Sequence, residues 1–445
     1  MNRSTRAWLV VVLLVILMMI NFLDKAVIGM VAVPLIHELH ITPSAYGFLA
    51  GSFFWFFAAS GIVLGLVANR VSARTMLLWM TISWSLLQLP TYFSSSLGVF
   101  LLCRVLLGIG EGPAWSIAVH TIYNWFPNER RALPVGVLAQ GAMGGMLLAG
   151  AVIPPVTAAY GWRANFVVLS VAGLAWVGLW VLLGKDEQAG ARAASAPAGS
   201  TWRVPYRHLL LNRTVLSTMV MHFAYYWSLA LVLTWLPLYL NLGLGFQAIT
   251  AGRLFAAFIL VNPPVNLGLC WVAQRLSRRG HSSRVARGVF SGVVLMLAGA
   301  LLFLPWLTPL PPLVKIAVLA VSFGASTTLP SLAPAMLSDV CPPAQRAGLI
   351  SIDTAIASVA GVVAPMLMGG FVQHLSQAGK PAHAYEIGFA VAGVLLLLGG
   401  LAGILWAHPE ESARRLQQLS GRPRQAADGI DGDDAAAFAG QVPSR

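Results

Sequence analysis

The chain has 445 residues, of which 58% are hydrophobic and only 10% are charged. Soluble domains carry about a quarter of their residues as charged side chains, so this composition excludes an ordinary soluble protein and indicates an integral membrane protein. The formal net charge of +13 does not indicate nucleic-acid binding, because the charges form short clusters between apolar runs. The three cysteines lie far apart without metal-ligand spacing, so we expect neither a metal site nor a cofactor.

The chain begins with an apolar run that looks like a secretory signal peptide. Arg3 and Arg6 precede the run, but it continues to about residue 35 without a small-residue cleavage site. The sequence therefore predicts a first membrane-spanning helix that is retained.

Twelve apolar runs follow one another along the chain, each long enough for the roughly 20 residues that cross a bilayer as a helix. We predict an all-α integral membrane fold of two six-helix bundles, at 1–184 and 214–407, joined by a polar linker at 185–213. Residues 408–445 are poor in apolar groups and are predicted to be a disordered tail. The expected spans are 8–36, 45–69, 76–94, 98–124, 132–159, 164–184, 214–240, 248–273, 286–306, 312–337, 346–374 and 384–407.

Alternate connections between these spans differ sharply in Lys and Arg. The N-terminus, every second connection and the tail hold 22 of the 28 Lys and Arg residues, whereas the opposite side holds four. Positively charged connections stay in the cytoplasm. We therefore expect a multi-pass protein of the cell inner membrane, with both termini, the linker and the tail on the cytoplasmic side.

A short segment recurs after the second span of each half. Residues 68–74, Ala-Asn-Arg-Val-Ser-Ala-Arg, match residues 273–279, Ala-Gln-Arg-Leu-Ser-Arg-Arg, at four of seven positions. A repeat at equivalent places indicates a parallel duplication, and transporters built this way bind substrate between the halves near the midplane. Chance similarity of two basic loops is the alternative.

Four ionisable residues lie inside two of the apolar runs. Arg104 and Glu111 are seven residues apart, which puts both on nearly one stripe of a helix. Asp24 and Lys25 lie in the first run at similar depth. Such groups persist in membranes where they face a bundle interior and meet one another or a substrate. A stabilising ion pair between helices is the alternative for Arg104 and Glu111, and a local packing pair is the alternative for Asp24 and Lys25.

Four short motifs lie in order on the twelve spans. They are Asn21-Phe22-Leu23-Asp24-Lys25 in span 1, the Arg104 to Glu111 spacing in span 4, Trp125-Phe126-Pro127-Asn128-Glu129-Arg130 after it, and Thr234-Trp235-Leu236-Pro237-Leu238-Tyr239-Leu240 in span 7. In this order they resemble the major facilitator superfamily and, within it, the anion:cation symporter family, over about residues 7–407. The resemblance implies a proton-coupled symporter that imports a small organic anion, such as a sugar acid or an aromatic carboxylate.

The resemblance also implies roles for single residues. Asp24 and Glu111 correspond to protonation sites, whereas Lys25 and Arg104 correspond to cations that hold the substrate. Gln140 in span 5 corresponds to a substrate contact, and a hydrogen bond between helices is the alternative. The residues themselves offer a route to coupling, because an anion that takes over a cation leaves the neighbouring acid easier to protonate.

The sequence departs from the family pattern at several positions. Lys25 replaces the usual Arg, so a point charge stands where the family has a planar fork. Phe22 and the candidate substrate contact Phe57 stand where the family has Tyr, which favours an aromatic or less hydroxylated carboxylate over a polyhydroxylated one. Asn69 and Gln274 replace the Asp of the loop after the second span of each half, so the usual salt bridges that close the cytoplasmic side are not expected there.

Further polar residues lie in the apolar runs. Tyr225, with His222 and Tyr226, is expected to line the cavity from the second half. His120 in span 4 is expected to face away from the cavity or to lie near the cytoplasmic end. Asp353, near the start of span 11, is expected to be a helix-entry or interfacial acid.

These observations predict a monomeric secondary transporter whose partners are a small organic anion, a proton and the lipid bilayer. An efflux pump or antiporter for hydrophobic compounds is the alternative among transporters, although the paired membrane cations favour anions. A membrane enzyme would need a catalytic cluster near one interface, and the sequence has no metal spacing, nucleophile elbow or phosphate loop. We therefore predict no enzymatic activity and no nucleic-acid partner.

Overall fold

The computed structural model describes residues 3–67, 71–126, 130–184, 204–342, 345–376 and 381–419. Over these residues the chain is helical and contains no strand. Two short π-helical turns, Tyr239–Gly243 and Arg284–Val289, accompany the α-helices. In chain order these are α1 (Arg3–Met30), α2 (Ala32–Leu39), α3 (Pro43–Ser52), α4 (Phe57–Val67), α5 (Ala73–Phe93), α6 (Leu97–Glu111), α7 (Ala114–Trp125), α8 (Ala132–Tyr160), α9 (Ala164–Leu183), α10 (Tyr206–Leu210), α11 (Arg213–Thr234), α12 (Leu236–Leu238), α13 (Ala248–Arg278), α14 (Phe290–Leu301), α15 (Leu304–Leu307), α16 (Pro312–Ser326), α17 (Thr328–Val340), α18 (Arg346–Ser376), α19 (Pro381–Trp406) and α20 (Pro409–Leu419).

Each predicted apolar run is found as one helix or as consecutive helices. Among the described residues, ten helical spans are long and apolar enough to cross a membrane. The run at 45–69 is divided into α3 and α4 by a turn at residues 53–56. The run at 76–94 corresponds to α5, whose buried face carries the polar residues Thr81 and Gln88. The predicted all-α membrane fold is therefore confirmed.

A break in the fourth span positions one of its charged residues. The span from Leu97 to Trp125 consists of α6 and α7, which are separated by Gly112 and Pro113. Proline lacks the N–H group that a helix interior needs, and glycine is a poor helix former, so the chain is interrupted there. Glu111 is consequently the last residue of α6, near the middle of the whole span.

Glycines allow close packing of helices within each half. A Cβ at Gly145 of α8 would lie 2.3 Å from the Met19 carbonyl oxygen of α1. In the second half, a Cβ at Gly400 of α19 would lie 2.4 Å from the Gly292 carbonyl oxygen of α14. Small residues permit this approach of backbones, which stabilises helix pairs where the hydrophobic effect between helices is absent.

The two halves meet at the end of the bundle opposite to the N-terminus. Gly29 of α1 faces α11, Gly47 of α3 faces α18 and Gly150 of α8 faces α13, and a Cβ on each would lie 2.2, 2.3 and 2.5 Å from the backbone oxygen opposite. Tyr46 donates a hydrogen bond of 2.8 Å to the Thr234 carbonyl oxygen across the same interface. The halves are therefore packed backbone to backbone at this end.

The last part of the predicted linker is structured. Val204 and Gln345 exchange two hydrogen bonds of 2.9 and 2.8 Å, and α10 follows directly. The end of the linker is thus attached to the start of α18 in the second half. Residues 185–203 of the linker lie outside the described residues, as do Asn69 of the repeat and residues 127–129 of the third motif.

The prediction of a disordered tail at 408–445 is wrong for its first part. Residues Pro409–Leu419 form α20, which buries Leu416 and hydrogen bonds through Ser412 to α11 at 2.7 Å. Acidic residues in its first turn, such as Glu410, stabilise it by complementing the helix dipole. The average composition of the tail conceals this short helix. The remainder of the tail, from residue 420, lies outside the described residues.

Candidate functional site

The helices α1 and α6 bring four ionisable side chains together in the first half. Asp24 and Lys25 come from α1, and Arg104 and Glu111 come from α6. None of the four residues is more than 7% exposed. Burying a charge costs free energy unless the charge is paired and hydrogen-bonded, so the partners of each group determine what this cluster can do.

Lys25 and Glu111 form the closest ion pair of the cluster. Lys25 Nζ lies 2.8 Å from Glu111 Oε2. Asn21, one turn earlier on α1, accepts a hydrogen bond from Lys25 and donates one of 2.8 Å to the same Glu111 oxygen. Negative charge is disfavoured at a helix C-terminus, which is where Glu111 lies in α6, so Lys25 and Asn21 supply the main compensation.

Arg104 is buried but only partly paired. Its Nε and Nη1 atoms have no hydrogen-bond partner among the residues that the structure describes. The guanidinium carbon lies 4.9 Å from the centroid of the Phe53 ring, and the charge interacts with Asp24 and Glu111. Buried donors are nearly always satisfied in folded proteins. The two free nitrogens therefore mark a place where a ligand can supply acceptors.

The two acids of the cluster also retain free oxygens. Asp24 interacts with Glu111, Arg104 and Gln88. Asp24 Oδ1, Glu111 Oε1 and both amide atoms of the buried Gln88 have no hydrogen-bond partner in the described part of the chain. Two neighbouring buried carboxylates with free oxygens can take up a proton, because two like charges close to each other repel.

Aromatic rings surround the Lys25 ammonium group. Its Nζ lies 4.9 Å from the centroid of Phe22 and 5.6 Å from the centroids of Phe53 and Phe57. These distances fall in the range of cation–π contacts. Phe57, predicted as a substrate contact, is half-buried beside the cation. The rings stabilise the positive charge without offering a hydroxyl group to a ligand.

Gln140 lies apart from this cluster. The neighbouring Gly141 marks where α8 packs on α1, since a Cβ there would lie 2.6 Å from the Val15 carbonyl oxygen. The Lys25 ammonium points back to Asn21, which follows Val15 by six residues, about 9 Å along a helix. Gln140 is exposed at that level. The structure therefore brings Asp24, Lys25, Arg104 and Glu111 together but separates Gln140 from them.

A second buried polar group lies in the other half. His222 Nδ1 of α11 lies 2.6 Å from Asp353 Oδ2 of α18. The expectation that Asp353 is a helix-entry or interfacial acid is wrong, because α18 begins at Arg346 and carries Asp353 two turns into the helix, where it is buried against His222. The rings of Tyr225 and Tyr226 lie 6.0 and 5.4 Å from the imidazole, between centroids.

Sequence reasoning missed several participants. Gln88 is an amide in an apolar run and Phe53 begins an aromatic run, so both carry a signal in the sequence. The pairing of His222 with Asp353 carries none, because the two residues are 131 positions apart. His120 is half-buried in α7. Among the described residues, no group of three or more His, Cys, Asp or Glu side chains could hold a metal ion.

Comparison with known proteins identifies related transporters. The family model of the Major Facilitator Superfamily matches residues 14–334 and 280–430. A probable sulfoacetate transporter of Cupriavidus necator is 30% identical over 431 residues, covering 92% of this chain and 95% of that protein. The hexuronate transporter of Bacillus subtilis is 26% identical, covering 88% of this chain and 92% of that protein. A solved bacterial homologue of the human lysosomal transporter Spinster, inward-facing and unoccupied, has a TM-score of 0.75 at 19% identity and covers 94% of this chain and 99% of its own.

Proposed function

This chain belongs to the Major Facilitator Superfamily, and we propose that it imports a small organic anion together with a proton. Members of this family are membrane transporters and not enzymes. The resemblance inferred from the four motifs is confirmed by the family match and by relatives named as anion transporters. Sulfoacetate and hexuronate, the compounds in those names, both carry a carboxylate. A carboxylate is also the group that the buried cations of this chain would bind.

The observation that carries the proposal is the unequal pairing of the two buried cations. Lys25 is held by Glu111 at 2.8 Å, whereas Arg104 keeps two nitrogens without a described partner. A guanidinium group binds a carboxylate through two parallel hydrogen bonds. We propose that the substrate carboxylate binds Arg104 first and then competes with Glu111 for Lys25.

Charge balance gives this competition a direction. The cluster contains two cations, Lys25 and Arg104, and two acids, Asp24 and Glu111, so it is neutral when all four are ionised. A bound monoanion would leave one uncompensated negative charge in a medium of low dielectric constant, which is costly. Protonation of Glu111 removes that charge and releases Lys25 for the substrate. Anion and proton therefore favour each other's binding, which is the thermodynamic basis of symport.

The packing of the halves supports an inward-facing state. The halves are in contact at Gly29, Gly47 and Gly150, all near the end opposite to the N-terminus. With both termini in the cytoplasm, this end faces outward and is closed. In this state we propose that Asp24 and Glu111 exchange protons with the cytoplasm, and that reorientation of the halves exposes them to the outside, as alternating access requires.

Transport by the purified protein in proteoliposomes tests the proposal. The acids to compare are sulfoacetate, a hexuronate and benzoate, with an acidic exterior and, separately, with an inward sodium gradient. We expect accumulation of at least one acid driven by the pH gradient and abolished by a protonophore. Accumulation driven by sodium alone would contradict proton coupling. Extrusion of a hydrophobic cation without accumulation of any acid would instead favour the efflux alternative.

A further inference from the structure

The pair of His222 and Asp353 has no part in the coupling described above, yet it has the burial and the unpaired polar atom of a binding site. Asp353 is only 1% exposed, and its Oδ1 atom has no hydrogen-bond partner among the described residues. Its other oxygen, Oδ2, holds His222 Nδ1 at 2.6 Å. A carboxylate at one ring nitrogen fixes the orientation of the imidazole and leaves Nε2 for a second partner.

The pair lies at nearly the depth of the cation cluster. A Cβ at Gly29 of α1 would lie 2.2 Å from the Leu233 carbonyl oxygen of α11, so this contact marks a common level near the ends of both helices. Lys25 points back to Asn21, to which it donates a hydrogen bond. Asn21 and His222 lie eight and eleven residues before the contact, about 12 and 16 Å along their helices. The Lys25 ammonium and the imidazole are therefore within about one helical turn in depth, on opposite halves.

The buried carboxylate indicates the charge of the missing partner. If Nε2 bound only a neutral hydroxyl group, an uncharged imidazole would suffice, and a buried carboxylate with a free oxygen would add cost without function. When the imidazole is protonated, both ring nitrogens donate and Asp353 balances the charge. An imidazolium held in this way is complementary to an anionic group on its Nε2 side.

We propose that His222 is a substrate-binding residue of the second half and that the substrate is a dianion, with a carboxylate at one end and a carboxylate or sulfonate at the other. The inference rests on the proposed function, because it adds a second end to the same substrate. Lys25 and Arg104 bind the first end and His222 binds the second. A ligand that touches both halves favours the state in which they approach each other, so the second anionic end promotes closure. Asp353 acts as a positioning residue.

A matched pair of acids tests this proposal. Galactonate and galactarate share one six-carbon chain and differ at a single end, which is a hydroxymethyl group in the first and a carboxylate in the second. Acetate and sulfoacetate form a second pair that differs by the sulfonate. Affinities are measured by titration calorimetry on the purified full-length protein in nanodiscs. We expect the dianion of at least one pair to bind about tenfold more tightly than its monoanion, as hydrogen bonds to charged groups do.

Variants of His222 and Asp353 test whether the preference for the dianion depends on these two residues. His222→Gln keeps a donor near Nε2 but cannot carry charge, so it should reduce the preference to about threefold or less while the monoanion binds as to the wild type. Asp353→Asn keeps an acceptor for Nδ1 without the compensating charge and should act in the same direction. His37→Gln is the matched control, because His37 is an exposed histidine on α2 in the first half. In this variant the preference for the dianion should persist. Thermal unfolding of each variant verifies that it is folded.

Two results would overturn the proposal. The first is wild-type protein that binds both monoanions as tightly as their dianions, which rejects the substrate class while leaving anion transport intact. The second is equal weakening of mono- and dianion by His222→Gln and by Asp353→Asn, which makes the pair a structural link between α11 and α18. Failure of the proposed function itself is distinct, since then no organic anion is accumulated in the proteoliposomes.

Discussion

Two buried polar groups of this protein, the cluster of Asp24, Lys25, Arg104 and Glu111 in the first half and the pair of His222 and Asp353 in the second, differ in how their charges are balanced. In the first half, two basic residues, Lys25 and Arg104, face two acids, Asp24 and Glu111. In the second half, Asp353 pairs with His222, a residue that is charged only when it is protonated. The unpaired atoms differ as well: among the described residues, the first-half group has unpaired donors on Arg104 besides unpaired carboxylate oxygens, whereas the second-half pair has an unpaired oxygen on Asp353. We therefore propose that the first half provides affinity for an anion and the second half provides selectivity.

Both groups lie on helices that also form the contact between the halves. α1 carries Lys25 and meets α11 at Gly29, while α18 carries Asp353 and meets α3 opposite Gly47. Under the proposed function, a ligand bound to either group would be attached to a helix that also forms the contact between the halves, so binding and the approach of the halves would be linked. Four substitutions test the part assigned to the first half, beginning with the largest expected effect, and complement the His222 and Asp353 variants of the second half.

Arg104→Gln removes the cation with free donors. We expect substrate affinity to fall by about 30-fold or more, because loss of one partner of a buried, hydrogen-bonded charge pair costs 2–5 kcal/mol. The measurement is substrate titration on the purified variant. Arg253→Gln is the control, since Arg253 is exposed on α13 and affinity should not change. An affinity within about threefold of the wild type would reject the role of Arg104.

Glu111→Gln tests whether the first half also carries the proton. The amide retains an oxygen for Lys25 and Asn21 but resembles the protonated acid permanently. Accumulation driven by a pH gradient should fall to about a tenth or less, whereas exchange of labelled for unlabelled substrate continues, because the neutral site can still reorient. Both activities are measured in the same proteoliposomes. The coupling role is wrong if both fall together or both persist.

Lys25→Arg changes the shape of the charge but not its sign. A guanidinium fork binds carboxylates in a plane, whereas an ammonium is a point charge, so the relative uptake of different acids should shift by roughly fivefold. The measurement is competitive uptake of sulfoacetate, a hexuronate and benzoate. Lys315→Arg is the matched control, because Lys315 pairs with Glu386 at 2.5 Å in the second half and lies outside the cluster. Equal preferences in both variants and the wild type would argue against contact between Lys25 and the substrate.

Glu38→Gln should have the smallest effect. It shows how much a charge outside the membrane contributes to the free energy of unfolding. Hydrogen bonds from Arg163 and Trp162 lower the pKa of Glu38 below its ordinary value. A lowered pKa stabilises the folded state above the unfolded-state pKa, and this contribution is lost as the pH falls through the folded-state pKa. The Glu38 side chain is 48% exposed, so the loss in the variant should stay below about 1 kcal/mol.

Thermal unfolding at two pH values checks this expectation. Near pH 7 the Glu38→Gln variant should unfold at a slightly lower temperature than the wild type. The difference should shrink as the pH falls below about 4.3, the ordinary pKa of Glu, because the native carboxylate is protonated as the pH passes through its lowered folded-state pKa. Transport should be unchanged at neutral pH. A large loss of transport would show that charge outside the membrane affects the site as strongly as the buried groups do.

The sequence by itself determined the fold class and the four charged residues of the first half. A helix must remain apolar for about 20 residues to cross a bilayer, and an ionisable side chain in such a run is costly, so both features are local and visible in the order of residues. For this reason Asp24, Lys25, Arg104 and Glu111 could be selected without coordinates. The sequence did not predict the tail helix α20, because this short amphipathic segment is stabilised by packing on α11 and α17 more than by its own composition.

Only the tertiary structure decided which charges are partners. The shared stripe of Arg104 and Glu111 on one helix predicts a common cavity, but Glu111 pairs with Lys25 of another helix, and Arg104 keeps free donors. Likewise, no periodicity relates His222 to Asp353, which have three membrane spans between them in the chain. Ion pairing requires contact within a few ångströms, and such contacts depend on how whole helices are placed against each other, which the pattern of any one segment does not specify.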